Sequence, residues 1–232
     1  MRGWARAGAA VLVLLALTSC SFTAEDPTYV PPAPLPPLAQ LEQAPLVDPA
    51  GYVAGEDVLL FATEDRGIAC SLTSARGNHI NLPYETNTFG DAANNKLDTV
   101  PVAHCELAVY PPPAPADVRD DCAGTGLGYL GGVAVLQPVQ ATYGACRSGV
   151  TAMESERGPK GTGQGPISEA AVLPEGGNLE RNGLRCTAYN GGVACGNVSA
   201  GVGFFISPER YELLSPSVPA APGGSAETSK TP

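Results

Sequence analysis

The apolar positions of this chain come in short runs cut by Gly, Pro, Asn and Asp, a pattern of strands more than of helices. Val58-Leu-Leu-Phe-Ala62, Glu64-Asp-Arg-Gly67 and Ile68-Ala-Cys-Ser-Leu72 read as strand, turn and strand. From Pro101 to Tyr110 the pattern alternates, with Ala103, Cys105, Leu107 and Val109 on one face and His104 and Glu106 on the other. Tyr129 to Gln137 is a continuous apolar run suited to a buried strand.

The sharpest local signal is Leu184-Arg-Cys-Thr-Ala-Tyr-Asn-Gly-Gly-Val-Ala-Cys-Gly196. Asn190-Gly191 is a preferred type I′ turn, because both positions tolerate positive φ. A hairpin centred there pairs Tyr189 with Gly192, Ala188 with Val193, Thr187 with Ala194 and Cys186 with Cys195. The two cysteines then face each other at a non-hydrogen-bonded site, where Cα atoms approach to ~4.5 Å and a disulfide can close. Gly201 to Ile206 gives one more strand. A short helix is predicted after it, with Ser207 as N-cap, Pro208 at the first helical position and Ser215-Pro216 as the stop. The expected fold is therefore mainly β: a small antiparallel β-rich domain over 55–214, with one short C-terminal helix.

The ends of the chain differ from this middle. Met1 to Gly8 carries Arg2 and Arg6 without an acid, and Ala9 to Leu17 is wholly apolar. That run is too short to cross a bilayer of ~30 Å and matches the n- and h-regions of an export signal. It ends in Leu17-Thr18-Ser19-Cys20, which resembles the lipobox of bacterial lipoproteins. The resemblance implies cleavage after residue 19, diacylation of the Cys20 thiol and a membrane anchor facing outside the cytoplasm. One acyl chain binds membranes marginally, whereas two hold. Residues 20–51 contain eight prolines and read as an extended tether, and 215–232 as a disordered tail.

Composition narrows the choice of partner. Removal of the signal leaves 11 Lys and Arg against 23 Asp and Glu, a net charge near −12. Nucleic acid and anionic lipid surfaces both require clustered cations, so neither is an expected partner. Assigning one of seven cysteines to lipid leaves Cys70, Cys105, Cys122, Cys146, Cys186 and Cys195. An even set in an exported chain reads as three disulfides, with fifteen possible connectivities. Only Cys186–Cys195 follows from chain geometry.

Phe61, Ile68 and Cys70, then Leu173-Pro174-Glu175-Gly176, then Gly183 with Cys186 and Cys195, and finally Gly201, Gly203, Phe204, Ser207 and Tyr211 form an ordered series of short motifs. The series resembles a family of uncharacterised secreted and lipoprotein domains of actinobacteria, over roughly 58–214. The resemblance implies sequential pairing, Cys70–Cys105, Cys122–Cys146 and Cys186–Cys195, and no assigned activity. Two departures stand out: Glu175 replaces the family's Tyr, and the spacer from Arg147 to Val172 is long.

Few residues suggest chemistry. His79 and His104 are the only histidines, and a metal site would need both beside a carboxylate such as Glu106. Gly126-Leu-Gly-Tyr-Leu-Gly131 fits a dinucleotide motif literally but leads into a strand, so turn and close-packing roles suit it better. Asp117, Asp120 and Asp121 lack calcium-loop spacing, and no Gly-x-Ser-x-Gly elbow occurs. No catalytic, metal or cofactor residues are therefore nominated. Arg147 to Val172, with Arg147, Arg157 and Lys160, is the candidate surface for an envelope protein or polymer. The expected function is a membrane-anchored envelope lipoprotein acting as a non-catalytic binding or accessory module. The alternatives are a cell-wall polymer hydrolase using unidentified acids, or a purely structural protein.

Overall fold

The computed structural model describes residues 35–55, 57–76 and 92–215. The expected signal, Cys20, His79 and the expected tail from 216 onward lie outside these residues. Among the described residues, twelve strands form two sheets, and nearly all neighbours are antiparallel. The first sheet is a meander of β1 (Val53–Gly55), β2 (Val58–Ala62), β3 (Ile68–Ala75), β4 (Val100–Leu107), β5 (Gly128–Gln137) and β6 (Gln140–Arg147). A two-residue strand, β7 (Ala171–Val172), joins it in parallel beside β2. The second sheet is another meander: β8 (Asn178–Arg181), β9 (Leu184–Tyr189), β10 (Gly192–Asn197), β11 (Val202–Ile206) and β12 (Tyr211–Leu214).

The alternation read from the sequence builds the core. Leu59 and Phe61 on β2, Ile68, Cys70 and Leu72 on β3, and Ala103, Cys105 and Leu107 on β4 face inward. Cys186 and Ala188 on β9, Val193 and Cys195 on β10, and Phe204 and Ile206 on β11 meet them in one cluster. β4 ends at Leu107, so Val109 leaves this face and is 57 % exposed. The β9–β10 ladder has the register set by Asn190-Gly191, with Cys186 opposite Cys195, and Asn190 takes φ 51°. Disulfides join Cys70 to Cys105, Cys122 to Cys146 and Cys186 to Cys195, with Cα separations of 4.0, 5.4 and 4.1 Å. The first and third are cross-strand bridges within their own sheets, and the Cys105 and Cys195 sulfurs lie 3.7 Å apart. The two bridges thus stack on each other between the sheets.

Two local expectations are corrected. The segment after Ile206 is a hairpin and not a helix: Ser207 to Arg210 form its turn and Ile206 pairs with Tyr211. The Ser207 hydroxyl accepts from the amides of Glu209 and Arg210, as an N-cap would, but the Ser207 amide donates to the Arg210 carbonyl and closes a tight turn. Pairing of Phe204 with Leu213 then carries the chain on as strand.

The second correction concerns the tether, since its last half, from residue 35 on, belongs to the folded domain. Pro37–Gln43 is a helix, α1, with proline at its first position. Leu38 and Leu41 lie one turn apart and pack on Ala194 and Phe205, on the outer face of the second sheet. Leu41 is fully buried, and its carbonyl accepts from the Asn178 side chain at 2.8 Å. A 3-10 turn, Pro49–Tyr52, capped by Asp48, then leads into β1. The proline-rich composition hid a short amphipathic helix.

Leu41→Ala is expected to cost about 2–5 kcal/mol, the usual range for a buried leucine. The urea midpoint at constant m-value reads it. An unchanged midpoint would return residues 35–52 to the tether.

Candidate functional site

The outer face of the first sheet presents His104 and Glu106 side by side on β4, as alternation requires. They are 1 % and 6 % exposed, and His104 Nε2 sits 3.2 Å from Glu106 Oε1. What covers Glu106 is the segment read as an interaction loop, 147–172. It holds a short helix, α2 (Ala152–Arg157), opened by a capping box in which Thr151 and Glu154 satisfy each other's backbone amides. The Met153 amide donates to Glu106 Oε2 at 2.8 Å, while Met153 and Ile167 pack on Ala69 and Ala108. Glu156 is also buried and accepts from the amide and hydroxyl of Ser168.

The basic spot expected on this segment is largely spent inside it. Arg147 pairs with Glu154 at 2.8 Å, donates to the Gly131 carbonyl and lies over the Tyr110 ring. Of the three cations, Lys160 is exposed, whereas Arg147 and Arg157 are half-buried. Two signals in the sequence mark the cover: Thr151-x-x-Glu154 is a capping box, and Met153 and Ile167 are apolar residues in an otherwise polar stretch.

Burial raises the Glu106 carboxyl pKa, but the hydrogen bond and charge of His104, with the Met153 amide and Thr151 hydroxyl, outweigh it. The carboxyl is held below its usual value. Ser71 lies directly opposite His104 in the β3–β4 ladder and is fully buried too. A Ser–His–Glu row therefore exists, buried at all three positions. Glu106, its last member, anchors the cover through the Met153 amide.

The other nominated residues separate. Asp117 accepts from the Tyr211 hydroxyl at 2.7 Å, and Asp121 from Tyr129 and the Ala123 amide. Asp120 faces Arg119 at 3.9 Å, so the three do not converge on one cation. A Cβ on Gly131 would collide with the Pro111 carbonyl, and one on Gly132 with the Tyr110 ring. Of the dinucleotide-like motif's glycines, Gly131 is a close-packing position, whereas Gly126 takes φ 74° with open space around it. Among the described residues, the one group with metal-like spacing is Cys70, Cys105 and Cys195, whose sulfurs are all consumed in disulfides.

An open cleft of about 390 Å³ lies at one end of the sandwich. Three chain turns frame it. The β2–β3 turn brings Thr63, Glu64 and Asp65; the chain after β7 brings Leu173 and Glu175; the β9–β10 tip brings Ala188, Gly191 and Gly192. Asp65 accepts from the Thr63 hydroxyl and the Gly67 amide, which fixes the first wall. Glu175 accepts from the Asn190 amide at 2.5 Å, which ties the second wall to the third. No family model, no curated protein and no solved structure matches the chain.

The lining is apolar at its base, through Leu173 and Ala188, and acidic at its rim, through Glu64, Asp65 and Glu175. Arg66 is the nearest cation in sequence, but its guanidinium is turned away onto the Ser168 and Ala170 carbonyls. Such a site attracts a positive group and offers it an apolar floor. Nothing in the local sequence unites Glu64 with Glu175, 111 positions apart.

The depressed Glu106 pKa sets the sign of a pH effect. The carboxylate is favoured in the folded state, so its stabilisation is complete above the ordinary value of 4.5 and is lost as pH falls through the folded value. Glu106→Gln is expected to cost about 1–3 kcal/mol at neutral pH. Between about pH 6 and pH 3 the native protein should lose more stability than this variant, measured by urea unfolding. Parallel pH profiles would show that Glu106 does not hold the cover as a carboxylate.

Proposed function

We propose that the chain is an envelope lipoprotein, anchored by lipid on Cys20, whose β domain is a non-catalytic binding or accessory module. The observation that carries the reading is the open acidic cleft framed by three turns of a disulfide-stapled scaffold. Rigid scaffolds that present turns around a concave surface are the usual setting for binding. The cleft's chemistry selects a ligand with an ammonium or guanidinium group next to an apolar portion, as on a peptide or an amine-bearing polymer. His104, the histidine among the described residues, is absent from its lining.

The fold revises how far such a module can reach. Folding of 35–52 onto the domain leaves fifteen steps between Cys20 and Leu35, a contour of roughly 50 Å at full extension. The chain joins the domain beside the cleft, because the Tyr189 hydroxyl at the hairpin tip donates to the Leu35 carbonyl. A lipid on Cys20 would hold Leu35 within that distance of the bilayer.

Two measurements test this. Cys20→Ala is expected to move the protein from the membrane fraction to the soluble fraction, and retention in the membrane would contradict the anchor. Titration with a short lysine peptide, followed by NMR, should shift the amides of Glu64, Asp65, Gly191 and Gly192. Acetylating the peptide's amines, or making Glu64→Gln/Glu175→Gln, should abolish the shifts. Equal shifts with the acetylated peptide would remove the cationic-ligand reading.

A further inference from the structure

The three disulfides stand in two different environments. Cys70, Cys105, Cys186 and Cys195 are all 0 % exposed, and the two bridges they form shield one another. Cys122–Cys146 lies outside the core, with Cys122 4 % exposed and Cys146 half-buried. Cys146 is on β6, and its sulfur contacts the Asp120 carbonyl at 3.2 Å in an exposed setting. Residues 123–127, immediately after Cys122, are exposed throughout. Gly124 and Gly126 adopt φ 73° and 74° with open space where a side chain would stand.

This third bridge is the far pin of a strap. The chain from Tyr110 to Cys122 leaves β4 and lies against the outer face of β6, with Pro113 and Val118 closing on Gly144. Its first half is held by tyrosines. The Tyr143 phenol, whose pKa burial pushes up to about 12, stays protonated and donates to the Pro111 carbonyl. Tyr211 stacks on Tyr143 at 3.9 Å, accepts from the Ala114 amide and donates to Asp117. The second half, from Arg119 on, has the Cys122–Cys146 bond and two hydrogen bonds to the Tyr129 hydroxyl.

We propose that Cys122–Cys146 is a thiol–disulfide exchange site, attacked at Cys146 by an external thiol, whose opening releases the strap beyond Val118 while the sandwich stays folded. The incoming thiolate forms a new S–S bond to Cys146 Sγ. Cys122 Sγ leaves with the bonding pair and takes a proton from water. A second thiol then attacks the reagent sulfur of the mixed disulfide, frees Cys146 and leaves as the oxidised reagent. Two thiols are oxidised and one protein disulfide is reduced, so electrons balance. Access sets the order of reaction, because the attacking sulfur must reach its target in line and the other four sulfurs are enclosed.

The surroundings also select among thiols. Asp120 and Asp121 flank Cys122, and the Asp121 carboxylate is favoured by the Ala123 amide and the Tyr129 hydroxyl. A cationic thiol is attracted there and an anionic one repelled, in a manner that salt screens.

The test treats the native protein with cysteamine, quenches with iodoacetamide at intervals and maps peptides without further reduction. Cys122 should be alkylated first, with Cys146 carrying cysteamine or alkyl label, while Cys70–Cys105 and Cys186–Cys195 stay joined. Far-UV circular dichroism should be retained at that stage. Cysteamine should react several-fold faster than 3-mercaptopropionate at low salt, with the ratio shrinking as salt is added. A Cys122→Ser/Cys146→Ser variant should fold and lose the fast phase alone. Simultaneous opening of all three bridges, first reaction at a core bridge, or first alkylation at Cys146 with Cys122 carrying the reagent would overturn the proposal.

Discussion

Contact between two cross-strand disulfides is the constraint on which the rest of the molecule depends. Each bridge joins directly opposed residues of an antiparallel ladder, at Cα separations of 4.0 and 4.1 Å. A slip of one residue in either ladder would send its sulfurs to the opposite face, so each bridge fixes register as well as connectivity. Their meeting at 3.7 Å then ties one sheet to the other at the centre of the core. The β9–β10 tip and the β2–β3 turn, two walls of the cleft, emerge within a few residues of these cysteines. The geometry of the binding surface is set from the sulfur stack outward.

Covering of both outer faces is the second organising fact. The first sheet is covered by α2 and its flanking chain, through Met153, Ile167 and the Glu106–Met153 hydrogen bond. The second is covered by α1, through Leu38 and Leu41. Strands buried on both sides lose strict alternation, which is why Val58–Ala62 and Val202–Ile206 read as unbroken apolar runs. The cover also explains a glutamate in an enclosed setting. The Glu106 carboxylate is held by His104 Nε2 and by the Met153 amide at the start of a helix, so it anchors the cover.

Legibility in the sequence followed the range of the interaction. The β9–β10 hairpin could be read to the residue because Asn190-Gly191 determines its own turn and the turn determines the register. The β2–β3 hairpin and the β5 run were equally local. Ser207 marks where local chemistry stops deciding: its hydroxyl makes cap-like bonds in either structure, and the Phe204–Leu213 pairing selects the strand. Leu41 was concealed among prolines, and its burial depends on Ala194 and Phe205, far away in sequence. His104 and Glu106 were placed on the correct face, but the burial of Glu106 rests on a segment some fifty residues further on. The cleft was the least legible feature, because its walls come from three turns that only the folded sheets bring together.

A double-mutant cycle on the sulfur stack tests the central claim most directly. Cys70→Ala/Cys105→Ala, Cys186→Ala/Cys195→Ala and the combined variant would be compared with the native protein by urea unfolding. Two bridges in contact are expected to show a coupling of about 0.5–3 kcal/mol, as for neighbouring groups in one packed cluster. Costs that add to within about 0.3–0.5 kcal/mol would mean that the bridges act independently, and would contradict the account in which their contact ties the two sheets together.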